Sequence, residues 1–372
     1  MDPLRILHVT APGRVGGLES VVRGLAAGHR ARGHHLAVFA STPDHAADHP
    51  FLDGLRKAGV QVYDPRLSSR SYMRERASIR NAIRASGSRI VHTHGYRSDV
   101  LGLAAASGNP VRSVTTVHGF TGGGWKNRLY ERLQLRAFRR FDAVVAVSRP
   151  LFERVVASGV AHSRVHCITN ALGGTATVDR AMAREVLGLP ADQFVIGWVG
   201  RVNREKALDV LLDALYQLPD LPLTVAVIGD GREREELARK AEATGQSERI
   251  RWLGSIPECS RYFSAFDLYA LSSHTEGTPI TLLEAMQAGV PVVTTALGGV
   301  PDVVSESEAW LTPAGDVAGF AAAIRRAWSS TPERDMRAVS ARRWLEQHLS
   351  AAAWLDRYEN LYRNLLAPGR DA

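Results

Sequence analysis

The feature that most constrains this chain is an alternation of short, almost uninterrupted apolar runs with helical stretches. Leu4–Thr10, His35–Ala40, Arg89–His94, Ser113–His118, Ala143–Ser148 and Val165–Thr169 read as strands. Helices fall between them, the first at Leu18–Arg30 and closed by Gly33. A strand that is apolar along its whole length has no solvent face, so it belongs in a parallel sheet covered on both sides. The pattern then restarts. Phe194–Gly200, Leu223–Gly229, Arg249–Leu253, Leu268–Leu271 and Val290–Thr295 read as strands, and Ala207–Leu218 as a helix. The expected fold is therefore α/β: two Rossmann-like, doubly wound parallel-sheet domains facing a central cleft. A length of 372 residues suits two such domains.

The small, uncharged stretch Ala171–Val178 is the natural boundary, giving domains 1–173 and 174–351. The tail, Ala352–Leu366, repeats Trp354, Leu355, Tyr358, Leu361, Tyr362 and Leu365 at helical spacing. Such a stripe must be buried, and the expectation is that 352–372 crosses back to pack on the first domain. Charge separates the halves. Residues 1–170 carry 25 Lys and Arg against 11 Asp and Glu, net +14, whereas 171–372 carry 21 against 27, net −6. No apolar run approaches the roughly 20 residues of a bilayer-spanning helix. The start lacks a signal-peptide layout, so a cytoplasmic setting is expected. Cys167 and Cys259 are expected to be two buried thiols, not a disulfide or a metal pair.

Ligands of open parallel sheets gather in the loops at the carboxyl ends of strands. The richest such loop opens Glu276-Gly277-Thr278-Pro279-Ile280-Thr281-Leu282-Leu283-Glu284. One carboxylate follows the strand Leu268–Leu271 and a second lies inside the next helix. Pro279 suits the first turn of that helix. The amides of Ile280, Thr281 and Leu282 would then be donors at a positive helix end, an anion site flanked by two acids suited to binding hydroxyls. The plainer account is an acid stabilising the helix dipole and a second on the solvent face. A second loop, Gly200-Arg201-Val202-Asn203-Arg204-Glu205-Lys206, places two cations after a glycine turn, a plausible diphosphate clamp. Gly229-Asp230-Gly231 and Leu253-Gly254 close two further strands. By themselves these are turns.

In the first domain Gly16 and Gly17 follow the first strand, but Gly13, Gly16 and Gly17 do not match the dinucleotide-binding glycine spacing. His118 ends the strand Ser113–His118. His92 and His94 share one strand face and raise the question of a metal pair, but no third ligand stands near them in sequence.

The stretch Glu276–Val304 resembles the signature of the retaining glycosyltransferase family 4, the group 1 enzymes of glycogen-synthase-like and mannosyltransferase-like type, with its two glutamates separated by seven residues. Asp302 stands where glutamate is usual. Gly200–Lys206 is similar to the family's Gly-Arg-x-x-x-x-Lys motif, and Gly16-Gly17-Leu18-Glu19 to its Gly-Gly-x-Glu loop. The resemblance implies a two-domain GT-B fold and a metal-independent hexosyltransferase with no cofactor. It implies Glu276 on the donor-sugar hydroxyls, Glu284 on the ribose, and Arg201 and Lys206 on the diphosphate. Gly16, Gly17, Gly229, Gly231, Leu253, Thr278, Ile280, Thr281 and Leu282 would line the donor, and His118 would face its sugar. Asn170 resembles the asparagine of a Pro-Asn-Gly turn whose other two residues are missing here.

The expected reaction is retaining transfer from a UDP- or GDP-sugar to a hydroxyl of a glycan or lipid-linked acceptor, in cell-surface polysaccharide or glycolipid synthesis. The alternatives are a nucleotide-sugar epimerase or hydrolase on the same scaffold, or a non-catalytic sugar-nucleotide-binding partner.

Two arginine-rich stretches remain. Trp125–Arg140 carries Lys126, Arg128, Arg132, Arg136, Arg139 and Arg140 against Leu129, Leu133, Leu135 and Phe138; Arg66–Arg89 adds Arg70, Arg74, Arg76, Arg80 and Arg84. These read either as solvated helix faces or as a peripheral contact with an anionic membrane surface. Nucleic acid is not expected, since no aromatic ladder accompanies the arginines.

Overall fold

The computed structural model describes residues 2–367 apart from 14–15, 44–48, 69–70, 121–124 and 174–176, and at 125–128 it describes the backbone alone. Arg70, the side chains of Trp125, Lys126, Asn127 and Arg128, and part of the boundary stretch Ala171–Val178 therefore lie outside the described residues. The chain divides into two compact units, Met1–Gly173 with Ala351–Ala372, and Gly174–Ser350.

In the first unit the order is β1 (Arg5–Thr10), α1 (Gly17–Ala31), β2 (His35–Ala40), α2 (Pro50–Lys57), β3 (Gln61–Tyr63), α3 (Tyr72–Ser86) and β4 (Ile90–His94). It continues with α4 (Tyr96–Ala106), β5 (Arg112–Val117), α5 (Trp125–Phe138), β6 (Ala143–Ala146), α6 (Arg149–Ala157) and β7 (Val165–Cys167). The second unit runs α7 (Arg180–Leu187), β8 (Phe194–Val199), α8 (Leu208–Tyr216), β9 (Leu223–Ile228), α9 (Arg234–Ala243), β10 (Ile250–Gly254) and β11 (Leu268–Leu271). Then come α10 (Ile280–Gln287), β12 (Val292–Thr295), β13 (Ala309–Thr312), α11 (Val317–Ser329) and α12 (Thr331–His348). The last helix, α13 (Ala351–Leu366), belongs to the first unit.

Among the described residues the sheets have seven strands, ordered β3-β2-β1-β4-β5-β6-β7, and six, ordered β10-β9-β8-β11-β12-β13. Every described pairing is parallel. Each order reverses direction in space after its central strand (β1 to β4, β8 to β11), which is the doubly wound arrangement that leaves a crevice at the strands' carboxyl ends. β3 and β13, absent from the sequence expectation, are short strands at sheet edges.

Alternation along the strands gives the first sheet two chemically different faces. Leu7, Val9 and Val91 join an apolar cluster with Ile79, Ile83 and Ala105 of α3 and α4. On this side Asp99 is buried and accepts from Thr93, Thr115 and Gln134, each at 2.7 Å. Gln134 and Phe138 are therefore inward residues of α5 and Leu135 packs part-buried on the same core, while Leu129 and Leu133 are exposed, so the apolar residues grouped together in the sequence divide between core and surface.

The opposite face carries His8 and His92, paired in register across β1 and β4, and then Thr10 and His94. It is covered by α1 and α13. Two α1 glycines allow close packing: a methyl at Gly28 would lie 2.6 Å from Leu355, and one at Gly24 3.2 Å from the Trp354 ring. Polar bonds complete the joint. His92 Nδ1 lies 2.7 Å from the Tyr362 hydroxyl, and His29 Nε2 lies 3.2 Å from the Leu355 carbonyl. Replacing Tyr362 by Phe strands a buried imidazole nitrogen. It is expected to lower first-unit stability by about 1–3 kcal/mol, measured as an earlier urea transition; an unchanged midpoint would show the bond to be dispensable.

Neither cysteine is in a disulfide, but Cys167 is exposed on the edge strand β7 and Cys259 is half-buried, so the expectation of two buried thiols is corrected.

Candidate functional site

In the second unit the chemistry collects where β8, β9 and β11 end. After β8 the chain makes a tight return over the loop that follows β9. Gly200 donates to Ile228, and Val202 to the Asp230 carbonyl. This crossing requires glycine. At Gly229, with φ near +137°, a Cβ would lie 1.8 Å from the Gly200 carbonyl oxygen, and at Gly231 one would lie 2.2 Å from that of Val202. Gly229 also donates to Gly254, tying in the end of β10, where Leu253 sits in a register shift between Trp252 and Gly254. Such a bulge re-aims a side chain at a strand end.

The same loop carries the cations. Arg201 is exposed, 3.3 Å from Glu205 Oε1. Lys206 is three-quarters buried or more and donates from Nζ to Glu276 Oε1 at 2.6 Å. Ala207, next along, takes a left-handed conformation at φ 47°, unusual for a residue with a side chain. Its carbonyl accepts from Ser272 Oγ at 2.7 Å, which anchors the loop to the end of β11.

Glu276 is held as firmly. Ser273 Oγ donates to its Oε1 at 2.6 Å, so among the described residues Lys206 and Ser273 both donate to one carboxylate oxygen. The backbone of Glu276 is set by Gly298: a Cβ there would lie 2.0 Å from the Glu276 carbonyl oxygen, at φ +56°. Ser273, Ser272, Glu205 and Gly298 did not stand out in the sequence. The only signal for Gly298 was its place in the glycine pair that follows β12.

Pro279 is the cap of α10, not its first helical residue. The Leu282 amide donates to the Pro279 carbonyl at 3.1 Å, which removes it from the expected anion site. Ile280 and Thr281 precede it in the first turn, where helix amides lack intrahelical partners. Their backbone is the relevant part, since the Ile280 and Leu282 side chains are buried in the core and Thr278 is buried as well. Glu284 is half-buried further along α10. The Tyr269 phenol registers both acids: burial pushes its pKa up, and the charges of Glu276 and Glu284 add to the rise. Glu284 also helps hold the Cys259 thiol at about 12, where burial is the larger cause.

In the first unit Gly16 caps α1 in extended backbone, and Gly17 is the first helical residue. Glu19 folds back to accept from the Gly13 amide at 2.7 Å, and a methyl at Gly16 would strike its carboxylate at 2.5 Å. His118 follows β5. Its Nε2 lies 3.1 Å from His94 Nδ1, and His94 Nε2 lies 3.0 Å from His8 Nδ1. The third ring that sequence spacing could not supply to His92 and His94 is thus His8, 84 residues before His92, with ligating atoms of all three within 4.8 Å. Both nitrogens of His92 are already engaged, with Tyr362 and with Thr116 Oγ1 at 2.8 Å, as are both of His94. The cluster is built as a hydrogen-bonded network. Asn170 is buried, and its Oδ1 has no partner among the described residues.

Burial holds these rings neutral, pushing His8 down to about 3, His29 and His118 to about 4, and His92 and His94 well below 6.5. A histidine whose folded pKa is depressed binds its proton in the unfolded state first. Its contribution to stability is whole above pH 6.5 and is lost as pH falls toward the folded value, by up to about 1.4 kcal/mol per pH unit for each ring. Asp99, raised to about 6 by burial, works the other way but is a single group. The first unit is therefore expected to open between pH 6.5 and 4 while the second, whose histidines are His274 and His348, keeps its structure. Hydrogen exchange of β1 and β4 against β8 and β11 checks this; equal loss of protection on acidification would refute it.

Two parallel sheets, each wound in both directions, make two Rossmann-like domains, the GT-B fold. A family model described as glycosyl transferases group 1 matches residues 179–344, and one described as glycosyltransferase family 4 matches residues 15–172. The chain belongs to the group 1, family 4 glycosyltransferases. It is 32% identical over 223 residues to 2-deoxystreptamine N-acetyl-D-glucosaminyltransferase of Streptomyces fradiae, a match covering 57% of this chain and 52% of that one. It is 31% identical to the lipopolysaccharide core biosynthesis glycosyltransferase LpsE of Rhizobium meliloti, covering 61% and 66%. The chain thus spans about half the length of the first of these relatives and just under two thirds of the second. In fold it is similar to Anabaena Alr3699/HepE, solved in complex with UDP-glucose, with TM-score 0.83 at 21% identity over 96% of this chain and 99% of that one.

Proposed function

We propose that this chain transfers a hexose from a UDP-sugar to a hydroxyl of a glycan or lipid-linked acceptor, with retention at the anomeric carbon. The observation that carries the reading is the Lys206–Glu276–Ser273 cluster at the ends of β8 and β11. An acid with one oxygen saturated by two donors at 2.6 Å is a fixed acceptor, suited to gripping sugar hydroxyls through the other oxygen. Beside it stand the largely buried ammonium of Lys206 and the exposed Arg201, where a departing diphosphate needs positive charge. In the step itself the bond from C1 to the diphosphate oxygen breaks, and UDP leaves with the electron pair. A bond from C1 to the acceptor oxygen forms, and the acceptor proton is released.

The Anabaena neighbour's UDP-glucose favours UDP over GDP as the donor base. Glu284, half-buried on α10, is assigned to the ribose hydroxyls. The lipopolysaccharide-core relative favours a cell-surface glycan acceptor. Glu276 is a poor candidate for abstracting a proton from a sugar carbon, as an epimerase would require, because its charge is already shared with Lys206 and Ser273.

Release of UDP from UDP-sugars, with and without acceptor, tests the proposal. Lys206→Ala and Glu276→Gln are each expected to lower turnover by about 10²–10³-fold, with circular dichroism unchanged and EDTA without effect on the parent. Near-parental rates in both variants would overturn the assignment, and product formed without any acceptor would favour the epimerase or hydrolase.

A specific surface favours a membrane-presented acceptor. Tyr96 stacks on Tyr130 at 5.4 Å, Arg97 lies over Tyr72 at 5.3 Å, and Met73, Leu129 and Leu133 stand exposed nearby on α3 and α5. Arg132 and Arg136 are exposed on α5 as well. Apolar side chains interleaved with arginines suit an anionic lipid surface. No helix among the described residues is long and apolar enough to cross a membrane, so such contact would be peripheral. Liposome co-sedimentation is expected to require anionic lipid, to weaken with salt, and to fall for Leu129→Ser/Leu133→Ser. Binding that ignores lipid charge, or no binding, would remove this part of the proposal.

A further inference from the structure

The hydrogen-bond chain behind His118 restricts what that residue can offer a ligand. His8, His94 and His118 are joined end to end, Nδ1 to Nε2 at 3.0 Å and then Nδ1 to Nε2 at 3.1 Å. All three lie on the side of the sheet that α1 and α13 cover, His8 and His94 fully buried and His118 half-exposed at the outer end. Each ring is neutral near pH 7, so each carries one N–H.

Three protons and two hydrogen bonds leave only two consistent arrangements. If His94 carries its proton on Nδ1, it donates outward to His118 Nε2 and must accept from His8 Nδ1. If it carries the proton on Nε2, both bonds reverse together. No ring can change alone without breaking a bond.

The two arrangements differ at the buried end. His8 Nε2 has no partner among the described residues. The inward arrangement puts the His8 proton on that nitrogen, a buried N–H with no acceptor among the described residues. The outward arrangement leaves a bare lone pair there. Orphaned buried N–H groups are rarer in folded proteins than under-used acceptors. The remaining branch does not compete: His92 is occupied by Tyr362 and Thr116, and Thr116 in turn lies 3.2 Å from the Tyr358 hydroxyl.

We propose that His8 and His94 are positioning residues that fix His118 as its Nδ1–H tautomer, so that His118 meets a sugar oxygen as a hydrogen-bond donor and not as a base. His94 acts by donating to His118 Nε2, which removes the lone pair that would otherwise take a proton. His8 acts one ring further in, by keeping the proton of His94 on Nδ1. The sugar as ligand rests on the function proposed above; the relay does not.

The test is nitrogen-15 NMR of the full chain labelled at histidine, with no ligand added. Signals are assigned by single histidine substitutions, and tautomers are read from long-range proton–nitrogen correlations. The parent is expected to show His94 and His118 protonated on Nδ1 with pyridine-like Nε2. His94→Phe removes the inner donor, and His118 is expected to shift to a mixture of tautomers. His94→Asn places an amide donor where Nδ1 stood, and the Nδ1–H pattern is expected to return. His118 protonated on Nε2 in the parent overturns the proposal, as does a His118 tautomer unmoved in His94→Phe. If neither variant folds, the parent spectrum alone still decides. Because no donor or acceptor is present, a failed relay leaves the transferase reading standing, and inactivity on every UDP-sugar leaves the relay standing.

Discussion

The second unit is organised around the 2.6 Å contact between Lys206 and Glu276, groups 70 residues apart in the chain. Burying two charges costs solvation that their mutual attraction repays only when the geometry is good and the remaining lone pairs are used. Here the surroundings are built to meet that condition. Ser273 supplies the second donor to Glu276, and Ser272 fixes the carbonyl of the left-handed Ala207 beside Lys206. Glycines at 229 and 298 let the flanking backbones come closer than any side chain would permit. The stability gained from such a pair is small. What it supplies is position: an ammonium and a carboxylate that cannot swing away in the absence of ligand. A diphosphate arriving beside Lys206 would therefore meet a cation already in place, with little reorganisation left to do.

The fold was legible because parallel strands announce themselves on both faces. His35–Ala40 and Leu268–Leu271 coincide with their strands residue for residue. The strands missed, Gln61–Tyr63 and Ala309–Thr312, are three and four residues long and lie at sheet edges, where one flank needs no partner and the apolar run shortens. The division of α5 between core and surface rests on a tertiary contact: the buried Asp99 accepts from Gln134, which goes with Phe138 inward and Leu129 and Leu133 outward, and nothing local to the helix announces that pairing. The residue types of the second unit's site were visible as motifs. Its supports were not, since Ser273 and Gly298 matter through contacts that depend on which strand lies beside which. Leu282 shows the limit from the other side: a helix-start pattern gives free amides in general, but the turn at Pro279 uses this one.

The histidine-lined face of the first sheet obeys a related rule with different chemistry. A buried polar group must be paired, and a neutral imidazole is well suited because it offers one donor and one acceptor on opposite sides of a rigid ring. Rings at alternate positions of neighbouring strands can therefore link into a line, which carboxylates, acceptors only, cannot do. Asp99, on the other face of the same sheet, shows the contrast: it needs donors from Thr93, Thr115 and Gln134, and it leads nowhere.

Each unit thus fixes a polar group at the carboxyl end of a parallel sheet, and each does so in the way its surroundings allow. In the second unit the site is partly open, Lys206 keeping about a fifth of its side-chain surface, so a charged pair can be tolerated and held by serines. In the first, His94 is buried among His8, His92 and His118 with almost no exposure, where an ion would be costly and a neutral relay is not. The difference has a consequence for how the two sites respond to their environment. Salt and competing anions act on Lys206 and Arg201 directly, through charge. His118, half-exposed but neutral, does not answer to them through charge, and what it presents outward is governed by proton positions two rings deep, at His8.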